Sequence, residues 1–128
     1  MSFKFLKYIL LLLAGQFAVS QNVITTESDL KKEINTNGVI VVEFWAEWNR
    51  HNECKFLKDL EQCNIVKADI VASKALADNY DVDVLPTLVI FHNNEEVTRF
   101  KGDLLFRLNV KKKEVQEKVD SIIISKFQ

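Results

Sequence analysis

The chain has 128 residues, of which 48% are hydrophobic and 27% are charged, with three glycines and one proline. This balance excludes a disordered, collagen-like or linker-rich protein and favours one compact domain. The net charge of −1 comes from 17 basic and 18 acidic residues with no basic patch, so we expect no nucleic-acid partner. Two cysteines are too few for a disulfide-stapled miniprotein or a zinc site of four thiolates.

The N-terminus has the features of an export signal. Two lysines precede the apolar run 8–14, and the small residues Ala18 and Ser20 precede a cleavage site before Gln21. The alternative is a membrane anchor, but spanning needs about 20 apolar residues and this run is shorter. We expect a signal peptide at 1–20, one domain at 21–128, no stable membrane anchor after cleavage, and a periplasmic or extracellular location. Cleavage would leave 15 of the 17 basic residues against 18 acidic ones, a formal charge of −3.

Hydrophobic periodicity predicts an α/β protein with the element order β-α-β-α-β-α-β-β-α. The predicted strands are 23–25, 39–45, 65–70, 88–91 and 97–100. The predicted helices follow the cap residue Thr26, begin near Asn49, run from Ser73 to Tyr80, and end the chain with Val115, Val119, Ile122 and Ile123 on a buried face. The alternating first part implies parallel strands joined by helical crossovers, and the last two strands form an antiparallel hairpin.

Three stretches identify a family pattern. Residues 43–48 read Glu-Phe-Trp-Ala-Glu-Trp, residues 84–88 read Val-Leu-Pro-Thr-Leu, and Gly102 follows the last predicted strand. Together with the element order, they resemble thioredoxin: its D-F-W-A-E-W strand, its cis-proline loop and its glycine after the last strand. The resemblance covers 23–127 and implies the thioredoxin fold, a central mixed sheet flanked by helices, with a cis bond before Pro86.

The sequence departs from the family at the motif that carries dithiol chemistry. Thioredoxins follow this tryptophan with C-G-P-C, whereas Trp48 is followed by Asn-Arg-His-Asn at 49–52. An amide cannot form a thiolate or a mixed disulfide, so ordinary dithiol exchange is excluded at this motif. An alignment shifted by two residues puts Cys54 at the end of the motif, and the first thiol is still missing.

Cys54 is one candidate catalytic residue. A helix beginning near Asn49 would place Cys54 early in it, where the helix dipole favours a thiolate, with His51 on the same face. The alternative is an inert, half-buried thiol, since free cysteine packs as a small hydrophobe. An intact helix would separate Cys54 from Cys63 by about 13 Å, too far for a disulfide, so we expect two separate thiols.

Glu43 is the other candidate catalytic residue. The resemblance matches Glu43 to the family's buried carboxylate, which handles protons during exchange, and Lys67 to the lysine beside it. A charge inside a central strand is costly unless it is paired. Two interpretations stay open, a structural remnant and a retained proton-transfer group.

The resemblance also implies a surface beside the proline loop that offers backbone groups to an extended substrate. We expect it to comprise Trp48, His51, Leu85, Pro86 and Thr87. The leading hypothesis is an exported module that binds a peptide or protein without a dithiol. The alternative is a single-thiol redox protein acting through Cys54. We expect no cofactor and no metal site, because His51 and Cys54 have no third ligand at a familiar spacing.

The segment after Gly102 is longer than in the family, whereas the segment between Trp48 and Asp69 is shorter. The longer segment contains an apolar cluster at Leu104–Leu108. This cluster either covers core that the shorter segment leaves exposed or forms an interaction surface.

Overall fold

The computed structural model describes residues 23–127, so the expected signal peptide at 1–20 lies outside the described residues. The strands are β1 (Val23–Ile24), β2 (Val39–Trp45), β3 (Asn64–Asp69), β4 (Thr87–His92) and β5 (Glu95–Lys101). The α-helices are α1 (Glu27–Ile34), α2 (Lys74–Asp78) and α3 (Lys112–Ser125). Two short 3₁₀ helices, Glu47–Asn52 and Leu57–Asp59, connect β2 to β3.

The five strands form one mixed sheet in the order β1-β3-β2-β4-β5. Strands β1 and β2 pair parallel with β3, whereas β4 pairs antiparallel with β2 and β5 antiparallel with β4. The β-branched and aromatic run of β2 is at the centre and is buried from Val39 to Phe44. The sheet therefore confirms the predicted mixed α/β fold, with parallel crossovers first and a hairpin after them.

Two apolar layers cover the two faces of the sheet, because successive side chains of a strand point to opposite faces. One layer contains Ile40, Val42 and Phe44 of β2 with buried residues of α1 and α2. The other contains Val39 and Val41 with Leu57, Leu60 and the buried face of α3. The predicted α3 face is confirmed at Val115, Val119 and Ile122.

The prediction of an α-helix beginning near Asn49 is wrong. The chain forms a 3₁₀ helix that is kinked at Asn49, and Cys54 follows it outside any helix. In an α-helix the Cys54 N–H would donate to the carbonyl of Arg50. Instead it donates to the buried carboxylate of Glu43 at 2.8 Å, while the Glu53 N–H closes a tighter turn onto Arg50 at 3.1 Å. The Glu43 side chain thus accepts the Cys54 N–H, which an α-helix would use for its own hydrogen bond.

The residues of the apolar cluster after β5 differ in whether they cover the core or remain exposed. Leu108 is partly buried against the apolar layer that contains the buried face of α3, as covering the core requires. Leu104 and Leu105 are 90% and 65% exposed. Within residues 23–127 there is no helix of sufficient length and hydrophobicity to span a membrane.

Candidate functional site

A buried carboxyl group lies beneath the first 3₁₀ helix. Glu43 has no exposed surface, and its partner in the register of β2 and β3 is Lys67. The Lys67 ammonium lies 4.0 Å from Glu43 Oε1 and 2.5 Å from Glu53 Oε2. The predicted neighbourhood of Glu43 and Lys67 is confirmed, and Glu53 completes a cluster of two acids and one base.

Burial raises the pKa of Glu43 from 4.5 to about 7, because a charged carboxylate loses its hydration inside the sheet. The Cys54 N–H and Lys67 oppose this rise, and Glu53 adds to it. Among the described residues, Glu43 Oε1 finds no hydrogen-bond donor. Glu43 is therefore an acid that changes its charge near neutral pH inside the folded domain.

Cys54 lies next to this carboxyl group in an environment that disfavours a thiolate. Burial raises the pKa of its thiol to about 12, and the negative charge of Glu43 adds to the rise. The backbone N–H groups of Phe56 and Leu57 oppose it only in part. The helix-dipole effect expected at Cys54 is absent because the helix is absent. His51 is exposed, and its imidazole contacts the Asn52 amide at 3.3 Å.

The second thiol is in a similar environment. Burial raises the pKa of Cys63 to about 11, and Asp120 adds to the rise. Cys54 and Cys63 are both free and partly buried. No continuous helix joins the two cysteines, so the separation of about 13 Å expected along a helix does not apply to them.

An apolar groove opens beside the proline loop. Trp48 stands at its border with 55% of its surface exposed. The groove is lined by Trp48, Ile70, Val82, Asp83, Val84, Leu85 and Phe106. Of the residues predicted for a binding surface, the structure brings Trp48 and Leu85 together there.

The proline loop at residues 84–87 is fixed by hydrogen bonds within the fold. The Leu85–Pro86 bond is cis, as the resemblance implied. Leu85, Pro86 and Thr87 are all buried, with Leu85 3% exposed, and the Thr87 hydroxyl donates to the Val84 carbonyl at 2.7 Å. The Gly102 N–H donates to the Pro86 carbonyl at 2.8 Å, and a Cβ at Gly102 would lie 2.6 Å from the Leu85 oxygen. Only glycine allows this approach of the two backbones.

The residue that follows Trp48 is bonded to the loop that carries Phe106. Asn49 is only 4% exposed, and its Nδ2 donates to the Phe106 carbonyl at 3.1 Å. Asn52 Nδ2 donates to Asn49 Oδ1 at 3.0 Å. The Phe106 ring packs edge-on against Trp48, with ring centroids 5.1 Å apart and planes at 88°. The two asparagines therefore form a hydrogen-bonded chain that ends on the loop after β5.

Comparisons with known proteins establish the kinship of the chain. A family model described as Thioredoxin matches residues 21–109. The chain belongs to the thioredoxin family. The thioredoxin of Chlamydia trachomatis is 34% identical over 74 residues, which cover 52% of this chain and 71% of the relative. The thioredoxin of Staphylococcus epidermidis is 33% identical over 86 residues, which cover 60% of this chain and 80% of the relative.

A solved thioredoxin shares the fold. The X-ray structure of Fasciola hepatica thioredoxin superposes with a TM-score of 0.63 at 28% identity, covering 79% of this chain and 98% of that one. The thioredoxin fold expected from the sequence is confirmed. Across residues 23–127, no group of three His, Cys, Asp or Glu side chains is placed to hold a metal ion.

Sequence reasoning missed two members of the site. Phe106 was noticed only as part of an apolar cluster, because nothing in its neighbours shows that the loop folds back onto Trp48. Glu53 was not singled out as the partner of Lys67. A signal for the loop existed in Asp103 and Asn109, which are residue types that hydrogen-bond their own turns.

Proposed function

We propose that this thioredoxin-family protein binds an extended segment of a peptide or protein partner without covalent exchange, in the groove between Trp48, Leu85 and Phe106. The exposure of Trp48 carries the proposal. A large aromatic side chain that is 55% exposed at the border of an apolar groove offers contact area that the fold itself does not use. Tryptophan is also a residue type that concentrates binding energy at interfaces.

The backbone beside the groove supports binding of an extended chain. The N–H of Leu85 is not a donor in the backbone hydrogen bonds of the described loops, so it is available to an acceptor on a partner. A strand-like peptide laid along residues 84–85 would supply that acceptor, as in strand addition. Because Thr87 and Gly102 already fix this loop, binding orders little additional backbone.

Chemistry at the neighbouring positions favours non-covalent binding over exchange. Asn49 and Asn52 cannot form the thiolate or the mixed disulfide that dithiol exchange needs. The remaining thiol is Cys54, whose pKa of about 12 leaves a negligible thiolate fraction at neutral pH.

Single-thiol redox chemistry through Cys54 is the second candidate function. Kinship with thioredoxins and the adjacent Glu43, which titrates near pH 7, favour it. The raised pKa of Cys54 opposes it, so we rank it behind non-covalent binding.

A fluorescently labelled, unfolded and carboxymethylated lactalbumin tests the proposal, because it offers extended chain and no free thiol. We expect anisotropy to report binding by the wild type, an affinity at least about tenfold lower for Trp48→Ala, and unchanged affinity for Cys54→Ser. Ile124→Ala is the matched control, since Ile124 is an apolar residue of α3 with 59% exposure. Equal binding by the Trp48 and Ile124 variants would refute the groove. Binding lost in Cys54→Ser would favour the redox alternative.

We also propose that the domain is exported, on the strength of the apolar run and the small residues before Gln21. N-terminal sequencing of the protein recovered from a fractionated producing cell tests this. A mature chain beginning at Gln21 outside the cytoplasm is expected. A chain that keeps residues 1–20 in the cytoplasmic fraction would contradict export.

A further inference from the structure

The loop at residues 103–109 is organised by its own hydrogen bonds. Asp103 Oδ1 accepts the N–H of Leu105 at 2.9 Å and that of Arg107 at 3.0 Å, and Asp103 Oδ2 accepts from the Asn109 amide at 3.1 Å. The Asp103 N–H donates to the Arg107 carbonyl at 2.8 Å. These bonds give the loop a shape, but they do not attach it to Trp48.

Attachment comes through one residue with an unusual backbone. Phe106 has φ of +59°, in the left-handed region that bulky side chains rarely adopt, at a cost of about 1–3 kcal/mol. Such a conformation persists only where surrounding contacts fix it. The carbonyl of this same residue accepts the Asn49 amide, and its ring packs on Trp48.

The environment of Asn49 orients its side-chain amide toward this carbonyl. It is buried, and Asn52 Nδ2 occupies its Oδ1, which leaves Nδ2 directed at the Phe106 carbonyl. We propose that Asn49 is a positioning residue: its amide latches the 103–109 loop onto Trp48 and so holds Phe106 beside Trp48 in the lining of the groove. The two positions that the resemblance aligns with the family's thiols thus hold a hydrogen-bonded latch.

The hydrogen bonds of the latch do not depend on the proposed function, whereas the class of ligand inferred from the latch rests on it. With Phe106 held, the touching rings of Trp48 and Phe106 form one aromatic wall of the groove that also contains Val84 and Leu85. The class of ligand that fits is an extended peptide segment that places an apolar side chain against this aromatic wall. A cysteine side chain aimed at position 49 would meet the Phe106 carbonyl instead.

Asn49→Asp tests the latch, because it keeps the size of the side chain and replaces the N–H donor with an oxygen that repels the Phe106 carbonyl. Hydrogen exchange of the loop amides Leu105 to Arg107 reports attachment, and Trp48 emission, read in a Trp45→Phe background, reports the ring contact. At pH 8 we expect exchange about fivefold faster than in the parent, the effect of losing one hydrogen bond, and a red-shifted emission.

Two further variants keep the test decisive. Asn52→Ala leaves the Asn49 donor but frees its orientation, so we expect a smaller change in the same direction. Leu104→Ala changes a 90% exposed side chain of the same loop that takes no part in the latch, so we expect neither readout to move. If Asn49→Asp fails to fold, Asn52→Ala against Leu104→Ala still decides.

The latch and the proposed function can fail separately. Loop exchange and Trp48 emission unchanged in Asn49→Asp and in Asn52→Ala would overturn the latch, whatever the binding result. If both readouts move and affinity for the carboxymethylated polypeptide also falls, the latch and its role in the groove are supported. If both readouts move while wild type and variant bind that polypeptide equally, the latch stands and the peptide groove is refuted.

Discussion

Replacing Glu43 with glutamine tests whether the buried carboxyl group takes up a proton in the folded protein. Glutamine has nearly the same shape as a protonated glutamate, and its side-chain oxygen can still accept the Cys54 N–H that Glu43 accepts at 2.8 Å. Lys67 keeps its partner Glu53 in this variant. The substitution therefore removes the titrating proton and little else.

The pKa shift fixes the sign and the size of the effect. The pKa of Glu43 is raised from 4.5 to about 7, so between these pH values the folded protein holds a proton that the unfolded chain releases. The contribution of Glu43 to stability is full below about pH 4.5, falls as pH rises through the window, and is lost above about pH 7. At about 1.4 kcal/mol per pKa unit, the loss amounts to about 3 kcal/mol. The Glu43→Gln variant does not lose this stability as pH rises, because glutamine has no proton to release in this range.

Urea denaturation of wild type and variants at pH 5, 6, 7 and 8 measures this contribution. We expect Glu43→Gln to be more stable than wild type by about 3 kcal/mol at pH 8 and the advantage to shrink toward pH 5. Glu53→Gln is the control. The bond from Lys67 lowers the pKa of Glu53, so its contribution to stability is lost only as pH falls below about 4.5, and we expect Glu53→Gln to lose the same stability at every pH from 5 to 8. A Glu43→Gln curve parallel to that of the wild type would show that Glu43 takes up no proton on folding in this pH range.

Three further predictions concern the proline loop and the thiol. Gly102→Ala puts a methyl group 2.6 Å from the Leu85 oxygen, so we expect a loss of about 1–3 kcal/mol in thermal unfolding, and an unchanged midpoint would contradict the close approach. Native Cys54 should react with a thiol reagent at pH 8 at least about a hundredfold more slowly than the unfolded chain, because its pKa is raised to about 12; equal rates would contradict its burial. Purified protein should not accelerate insulin reduction, and turnover that Cys54→Ser abolishes would instead support the single-thiol alternative.

Most of the fold could be predicted because, in most segments, the local sequence pattern agrees with the packing of that segment in the fold. The unbroken apolar run from Val39 to Trp45 forms the central strand, and the Asp29 N–H donates to Thr26 Oγ1 at 3.1 Å as a helix cap. The spacing of Val115 and Val119 matches the buried face of α3. In each case the pattern that selects the element is also the pattern that packs it.

The segment after Trp48 could not be predicted in the same way, because contacts distant in sequence decide it. Glu43 takes the Cys54 amide across 11 positions, and Phe106 takes the Asn49 amide across 57. Periodicity over a short window contains neither partner. The position of Glu43 beside Lys67 followed from the family resemblance, whereas the environment of Cys54 followed only from the fold around it.

Chemical-shift mapping shows whether a peptide binds in the groove and whether binding depends on the Cys54 thiol. The wild-type protein and its Cys54→Ser variant, each labelled with ¹⁵N, are titrated with carboxymethylated lactalbumin. We expect shifts at the Trp48 indole and at the amides of Leu85, Gly102 and Phe106, and we expect them to be the same in both proteins. Shifts confined to other surfaces, or shifts that disappear with the Cys54 thiol, would contradict non-covalent binding in this groove.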